Sequence, residues 1–380
     1  MSPIPLVFLI AGEASGDQLG ADLMHVLRKN QEVRFAGIGG EAMRAEGLTS
    51  LFPMEDLSIM GLWGILQNLP QLWKRLNFTV KTIELLKPDV VVTIDAPEFN
   101  FRVMKRLYKM NPRPRLIHYV APTVWAWRPR RAKKISRFLD QLLCLYPFEP
   151  PYFEKYGLKS TFVGHPAAKE KLGKKKRDPN LLCILPGSRP SEIETLLPIF
   201  RQTLKFLKEE LLDLKVIIPT LASVEDLVYK GTHNWPVPVK IVVGNEGRKE
   251  AFQKASVALA ASGTVALQLS AARLPFVIAY KINKLNEWIA KALLKTPWVC
   301  MVNILLAFQK FGFLQKHMNE QIEAPWIPEF LQEECVAEKL APTLLNLLKN
   351  QDIRTHQIEA MEKAIFLLKA PRQAVGLSLF

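Results

Sequence analysis

Histidine, cysteine and acidic residues are all in short supply in this chain of 380 residues. The four cysteines, Cys144, Cys183, Cys300 and Cys335, lie far apart and form no CxxC pair. That excludes a zinc knuckle and a disulfide framework, and it fits a reducing compartment. The six histidines show no ligand spacing. No Asp-x-Asp occurs, so the clustered carboxylates that hold a divalent ion against a pyrophosphate are missing. GxSxG, GxGxxG and GxxxxGKS are absent too, which removes a nucleophile elbow, a dinucleotide fingerprint and a P-loop. No window approaches the roughly 20 apolar residues of a membrane span. The N-terminal segment shows neither a basic n-region nor a small-residue cleavage site.

The acidic deficit has a positive meaning. Lys and Arg number 51 against 36 Asp and Glu, a net charge of +15. Such a balance favours an anionic partner. The cations cluster: Arg102 to Arg115, Arg128 to Arg137, and Lys169 to Arg177. Each cluster alone reads equally well as a solvated surface. No RNP-type aromatic motif or DNA-binding signature accompanies them, so nucleic acid is not expected as a partner.

Hydrophobic residues make up 49% of the chain, enough for sizeable cores. Short apolar runs alternate with amphipathic ones, the rhythm of parallel sheets covered by helices. Strands are expected at Leu6–Ala11, Val33–Ala36, Val90–Ile94, Leu116–Tyr119, Leu142–Leu145 and Thr161–Val163. Helices are expected between several of them, such as Gln18–Lys29 and Asn100–Lys109. The basic stretch Ala167–Asn180 reads as a linker. The rhythm restarts with Leu181–Leu185, Val216–Ile218, Ile241–Val243, Val257–Ala260 and Phe276–Tyr280, and Glu338–Leu368 reads as two helices. The expected fold class is therefore α/β, with two doubly wound Rossmann-like domains facing across a cleft. The first spans 1–168 and the second 181–350. A C-terminal helical segment, 351–380, is expected to return to the first domain or to a partner subunit.

Ligands in such sheets bind beyond the carboxyl ends of the strands, so the loops after the strands matter most. The first, GEASGD, carries Gly12, Glu13, Ser15, Gly16 and Asp17. Its glycines allow close backbone approach, and Asp17 is placed to cap the following helix. A capped turn alone does not account for Glu13 and Ser15. In the second, Asp95 follows a buried strand, where desolvation raises a carboxylate's pKa toward that of a general base. Capping the helix after Pro97 is the competing role. In the third, Arg189 of LPGSR is placed to grip a phosphate. In the fourth, Ser262, Gly263 and Thr264 open a helix and form an anion site. His118 and His165 sit near strand ends, where a lone histidine is more often structural. With no metal or cofactor expected, Arg, backbone N–H groups and helix dipoles are left to neutralise the phosphates. A base in one domain and a diphosphate site in the other is the logic of a nucleotide-sugar glycosyltransferase.

The segments AGEASGDQLGADLM, GIGGEAMRAEGL, IDAPEFNFR, HYVAPTVWAWRPRRAKKI, FVGHP, LPGSR, ASGTVALQ, TPWVC and PEFLQEE occur in this order. Together they resemble the lipid-A-disaccharide synthase family, inverting glycosyltransferases of GT-B fold, over nearly the whole chain. The resemblance implies a reaction of UDP-2,3-diacylglucosamine with 2,3-diacylglucosamine 1-phosphate (lipid X). It implies Asp95 as the base on the acceptor 6-hydroxyl, with Glu13 and Ser15 near the reacting sugars. It places Arg189, Ser262, Gly263, Thr264 and Asn303 at the UDP end and Glu329 in the substrate-binding set. Gln268 stands where typical members carry a ribose-binding Glu, Val302 replaces the usual Pro, and the segment between Asn303 and Pro328 is longer than the family pattern. Acylated substrates imply contact with the anionic cytoplasmic face of the inner membrane. The Leu- and Trp-rich segment Ser58–Ile83, with Trp63 and Trp73, is the expected contact, as against an ordinary core helix. A homodimer is compatible with the family. Another UDP-sugar enzyme of the same fold, an N-acetylglucosaminyltransferase or an epimerase, is the alternative.

Overall fold

A computed structural model describes residues 4–57, 62–170, 176–261, 265–281, 296, 298–312 and 324–370, with the backbone alone for 62–69. The chain divides into two compact units, Met1–Pro166 with the tail from Lys369, and Ala167–Leu368.

The first unit is built on β1 (Leu6–Ala11), β2 (Arg34–Ile38), β3 (Val90–Ile94), β4 (Arg115–Tyr119), β5 (Gln141–Cys144) and β6 (Lys159–Phe162). They form one parallel sheet in the order β2-β1-β3-β4-β5-β6. LVFLIA and VVVTI are buried at every position, the pattern of strands covered on both faces. The chain runs outward from β1 to β2 and then crosses back to β3. The order therefore reverses between β1 and β3, where the carboxyl ends open a crevice.

Two local devices fix the β1–β2 edge. Gly37 has φ +145, and a Cβ there would lie 1.9 Å from the Leu9 carbonyl oxygen. Only glycine allows the strands this approach. Asp17 is the second. It does not cap the helix it belongs to, Ala14–Asn30, whose N-cap is Glu13. It reaches instead to the loop after β2 and accepts hydrogen bonds from the N–H groups of Gly40 (2.7 Å), Ala42 (2.8 Å) and Met43 (3.1 Å). The carboxylate thus satisfies the open donors of the short helix Glu41–Ala45. The sequence reading had the right chemistry on the wrong helix.

The second unit carries β7 (Asp178–Leu185), β8 (Lys215–Thr220), β9 (Val239–Val243), β10 (Ala255–Ala260), β11 (Phe276–Tyr280) and β12 (Glu329–Leu331). Their order is β12-β11-β10-β7-β8-β9, again parallel, with the reversal between β7 and β10. The expected linker is too long by one strand start, because Asp178–Asn180 already belong to β7. Arg177 anchors that start: its guanidinium donates to the carbonyls of Phe252, Ala255 and Ala272 at 2.7, 2.6 and 2.7 Å. Residues 171–175 of the expected linker lie outside the described residues.

The expected pair of C-terminal helices is present as Ala337–Lys349 and Gln351–Leu367. The second of these helices belongs to the second unit, while residues 371–380 of the expected C-terminal segment lie outside the described residues. Gln357 accepts from the Phe276 N–H (2.7 Å) and donates to the Phe276 carbonyl (3.1 Å), and Glu362 pairs with Arg273 at 2.8 Å. These bonds tie the helix to the entrance of β11. All four cysteines are buried and unbridged, and burial pushes their thiols up. Among the described residues, no helix is long and apolar enough to cross a membrane.

Asp17→Ala leaves three backbone donors without their acceptor. It should cost the first unit about 3 kcal/mol, read as a lower thermal unfolding transition, with Asp17→Asn recovering part of the loss. An unchanged transition would show that these bonds contribute nothing net.

Candidate active site

In the first unit the order reversal brings the loop after β1 against the loop after β3. A Cβ on Gly12 would meet the Ala96 Cβ at 2.6 Å, so the glycine is what lets the loops touch. Glu13 is the N-cap of the helix Ala14–Asn30, Ser15 stands exposed in its first turn, and Gly16 is buried beneath it. Asp95 and Ala96 both take the left-handed region, with φ 49 and 41. Each such residue costs about 1–2 kcal/mol, and strain of this kind collects at functional sites when the surroundings enforce it. Here the Asp95 N–H donates to the Tyr119 carbonyl at 2.9 Å. The Asn100 side chain donates to the carbonyls of Ile94 (3.2 Å) and Asp95 (2.7 Å).

The competing role for Asp95, capping the next helix, is not taken. The helix Pro97–Leu107 has Ala96 as N-cap, with no side-chain cap hydrogen bond. The half-buried Asp95 carboxyl is instead raised above its ordinary pKa by desolvation, opposed in part by the Ala96 N–H. A carboxylate so placed is a stronger base than one in water.

Two histidines of this edge are structural, as their isolation suggested. His118 is buried, shares a 2.7 Å hydrogen bond with Thr93, and is pushed down to about 3 by burial. His165 stacks on Tyr146 at 5.6 Å and is lowered to about 4 by burial. Glu149 escaped the sequence reading. It accepts from the N–H groups of Leu145 (3.1 Å) and Tyr146 (3.0 Å) and from the Trp125 indole (3.3 Å), and burial pushes it up to about 8. It joins the loops after β4 and β5 and takes Trp125 into the interior. A lone Glu in the apolar run Tyr146–Pro151 was the available signal.

The second unit holds a pocket of about 620 Å³ at the carboxyl ends of its central strands. Arg189 lies on its wall and is the N-cap of the helix Pro190–Glu210. Glu192 faces the same space. It takes hydrogen bonds from Arg189 (3.3 Å), the Tyr280 hydroxyl (3.3 Å) and the Ser188 N–H (3.2 Å). Gly187, at φ +113, would bring a Cβ within 2.6 Å of the Glu192 carboxylate. Gln268 lines the same pocket. Ser262, Gly263 and Thr264 lie outside the described residues, while Ala261 and Val265 on either side of them in sequence both line it.

Two pocket residues were missed from sequence. Thr220, at the end of β8, presents a buried hydroxyl without a hydrogen-bond partner. Arg248 lies on the helix that begins at Gly244, whose φ of +79 marks the turn after β9. A Gly-Asn pair after a strand was the signal for the second.

Asn303 and Glu329 are brought together, but not on the wall of this pocket. Asn303 is fully buried, and its amide donates to the Ile327 carbonyl (2.8 Å) and Glu329 (2.7 Å) while accepting from the Ile327 N–H (2.9 Å). Glu329 also accepts from the N–H groups of Val299 (2.8 Å) and Cys300 (3.1 Å), and burial pushes it up to about 7. The pair clamps the start of the helix Met301–Phe311 to β12. Among the described residues, no group of three or more His, Cys, Asp and Glu is placed to hold a metal ion.

Comparison with known proteins gives the family and the fold. Residues 7–374 match the family model described as lipid-A-disaccharide synthetase. The lipid-A-disaccharide synthase of Rhodospirillum centenum is 46% identical over 95% of this chain and 89% of its own length. That of Paramagnetospirillum magneticum is 44% identical over 95% and 92%. Among solved structures, the UDP-GlcNAc 2-epimerase from Neisseria meningitidis bound to UDP-GlcNAc superposes with a TM-score of 0.60 at 9% identity, covering 96% of this chain and 99% of that one. MurG of Acinetobacter baumannii gives 0.51 at 14% identity, covering 96% and 99%. These likenesses carry the fold, which is of GT-B type. On the extent of its sequence match, the chain belongs to the lipid-A-disaccharide synthetase family.

Proposed function

We propose that this chain joins UDP-2,3-diacylglucosamine to 2,3-diacylglucosamine 1-phosphate, forming the β-1,6-linked disaccharide 1-phosphate and UDP. The nucleotide sugar occupies the pocket of the second unit. Arg189 and Arg248 supply positive charge to the diphosphate, Gln268 offers a carbonyl acceptor and an amide donor to the ribose, and the residue types of Ser262, Gly263 and Thr264, between Ala261 and Val265 in sequence, make them further candidates for the diphosphate. The Thr220 hydroxyl gains a partner when the pocket fills. In the first unit the Asp95 carboxylate takes the proton of the acceptor 6-hydroxyl. The oxygen attacks the anomeric carbon from the face opposite UDP, and the carbon–oxygen bond to UDP breaks with its electron pair going to the diphosphate. Configuration inverts in this single displacement. Glu13 and Ser15 serve the acceptor side.

One observation carries the assignment of Asp95: a left-handed Asp95–Ala96 bend, enforced by hydrogen bonds and a glycine contact, presents a desolvated carboxylate that caps nothing. Asn303 and Glu329 act at one remove, by fixing the segment around β12.

The substrates carry acyl chains, so the enzyme must meet a bilayer surface. On the helix Leu62–Leu86, Trp73, Phe78, Leu85 and Leu86 are exposed, with Lys74 and Lys81 among them. This supports a peripheral contact with an anionic leaflet at the cytoplasmic face of the inner membrane. Trp63 lies outside the residues whose side chains are described. Trp125 is buried and bonded to Glu149, so it contributes nothing to such a contact.

The assay is UDP release from UDP-2,3-diacylglucosamine with and without lipid X in detergent. Release and a disaccharide only with both substrates is expected, and release from the nucleotide sugar alone would indicate a hydrolase or epimerase instead. Asp95→Asn should lower kcat by about 10²–10⁴-fold while UDP binding, measured by calorimetry, persists. A base must be deprotonated to act, and desolvation raises this carboxyl. The wild-type kcat/KM should therefore fall with decreasing pH through an apparent pKa above the ordinary carboxylate value, and a profile flat on the acid side would remove Asp95 as the base. Gly12→Ala forces its Cβ onto Ala96 and should cut kcat about 10²-fold by misplacing the base, with UDP affinity unchanged. Full activity is expected in excess chelator; loss that Mg²⁺ restores would refute metal-free neutralisation.

A further inference from the structure

The first unit contains a second cavity, of about 440 Å³, lined by Glu98, Arg128, Pro129, Arg130, Arg131 and Lys134. Four cationic side chains face one carboxylate. That carboxylate is already committed, because Glu98 pairs with Arg131 at 3.0 Å. Among the described residues, Arg128, Arg130 and Lys134 make no ion pair. The cavity therefore carries a surplus of unneutralised positive charge.

Its place in the fold is specific. Glu98 lies in the first turn of the helix Pro97–Leu107, three positions after Asp95 in the chain, so their Cα atoms are at most about 10 Å apart. The arginines lie on the connection that leaves β4, the strand next to β3. The cavity and Asp95 thus share one edge of one sheet. Two of the cations are also held in place. Arg128 adopts φ 51, with its guanidinium 4.3 Å from the centre of the Trp127 ring, and Arg131 lies 5.2 Å from that of Phe101. Stacked guanidinium planes lose little freedom when they form paired hydrogen bonds to an oxyanion. A concave site suits a compact terminal phosphate with several free oxygens. A bilayer headgroup linked on both sides suits a flat face better.

We propose that this cavity seats the phosphomonoester of the acceptor substrate, with Arg128 and Arg130 as its principal ligands and Arg131, oriented by Glu98, behind them. The inference rests on the reading of Asp95 as the acceptor-side base. The cavity then acts as a specificity device. It recognises the sugar that keeps its phosphate through the reaction, and it positions that sugar's hydroxyl by its far end. The phosphate is not a leaving group here, so nothing at the cavity need release it during turnover.

The test is an Arg128→Gln/Arg130→Gln double variant assayed with lipid X and with 2,3-diacylglucosamine bearing a free anomeric hydroxyl. Removing each charge-assisted hydrogen bond to the phosphate is expected to raise KM for lipid X about 10-fold or more, with the KM for UDP-2,3-diacylglucosamine unchanged. The variant should also lose the wild-type preference for the phosphorylated acceptor. Retention of that preference at the wild-type factor overturns the proposal. Binding of soluble glucosamine 1-phosphate, followed by phosphorus NMR, needs no turnover. Wild-type binding that the variant loses supports the cavity even if no transfer is seen, in which case the functional reading alone fails. If the variant loses affinity for phosphatidylglycerol vesicles but keeps its acceptor preference, the charges serve the membrane surface and the proposal falls. Should the double variant not fold, Lys134→Gln, on an exposed side chain, carries the same comparison with a smaller shift.

Discussion

Parallel pairing is the constraint on which everything else in this protein rests. A parallel sheet has one edge where every strand ends, and every connection to the next helix must start there. In both units that edge therefore collects strand-to-helix loops, and the reversal of strand order parts two of them. The backbone irregularities follow the same geometry. Asp95, Ala96 and Val120 in the first unit and Gly187 and Gly244 in the second have positive φ just beyond strand ends. The chain turns hardest where a rigid sheet stops and a helix has to begin, and the candidate site residues Asp95 and Arg189 are carried on or beside those turns.

Four carboxylates show how the same residue types are separated into scaffold and chemistry. Asp17, Glu149 and Glu329 each accept three hydrogen bonds from backbone or side-chain donors. They are anchors between loops, and their acceptor capacity is largely spent on the protein itself. Asp95 is also desolvated, but the side-chain bonds around it are made to its main-chain carbonyl, which leaves its position fixed and its carboxylate available. Burial alone does not mark a functional acid. What sets the proposed base apart is burial together with unspent acceptor capacity.

Much of this was legible in the sequence because parallel strands buried on both faces read as unbroken apolar runs. Leu6–Ala11, Val90–Ile94 and Phe276–Tyr280 fall where they were expected. β12 was invisible, since three residues cannot set up a period and its pairing comes from β11 beside it. The post-strand loops were legible for the same reason as the strands: an apolar run that stops at Gly or Asp marks the edge. Long-range partners were not. Nothing local to Asp17 indicates that the donors to its carboxylate lie 23 to 26 residues onward, and nothing in the neighbourhood of Asn303 reveals a contact with Ile327. The cavity of Arg128 to Lys134 could be read only as a cluster of like charges until Glu98 was brought beside it by the helix after β3.

The amide of Gln357 closes on both polar groups of Phe276, 81 residues earlier in the chain. This sets an order on biosynthesis. The sheet of the first unit has all its strands once synthesis passes Phe162, whereas the entrance to β11 stays without its buried partners until the helix Gln351–Leu367 has emerged. A nascent chain can thus assemble the unit that bears Asp95 long before the unit that bears the pocket is complete. Ribosomes stalled or messages cut between Tyr280 and Gln351 would yield a formed first sheet joined to an incomplete second unit, whose β11 entrance lacks the Gln357 amide that closes it.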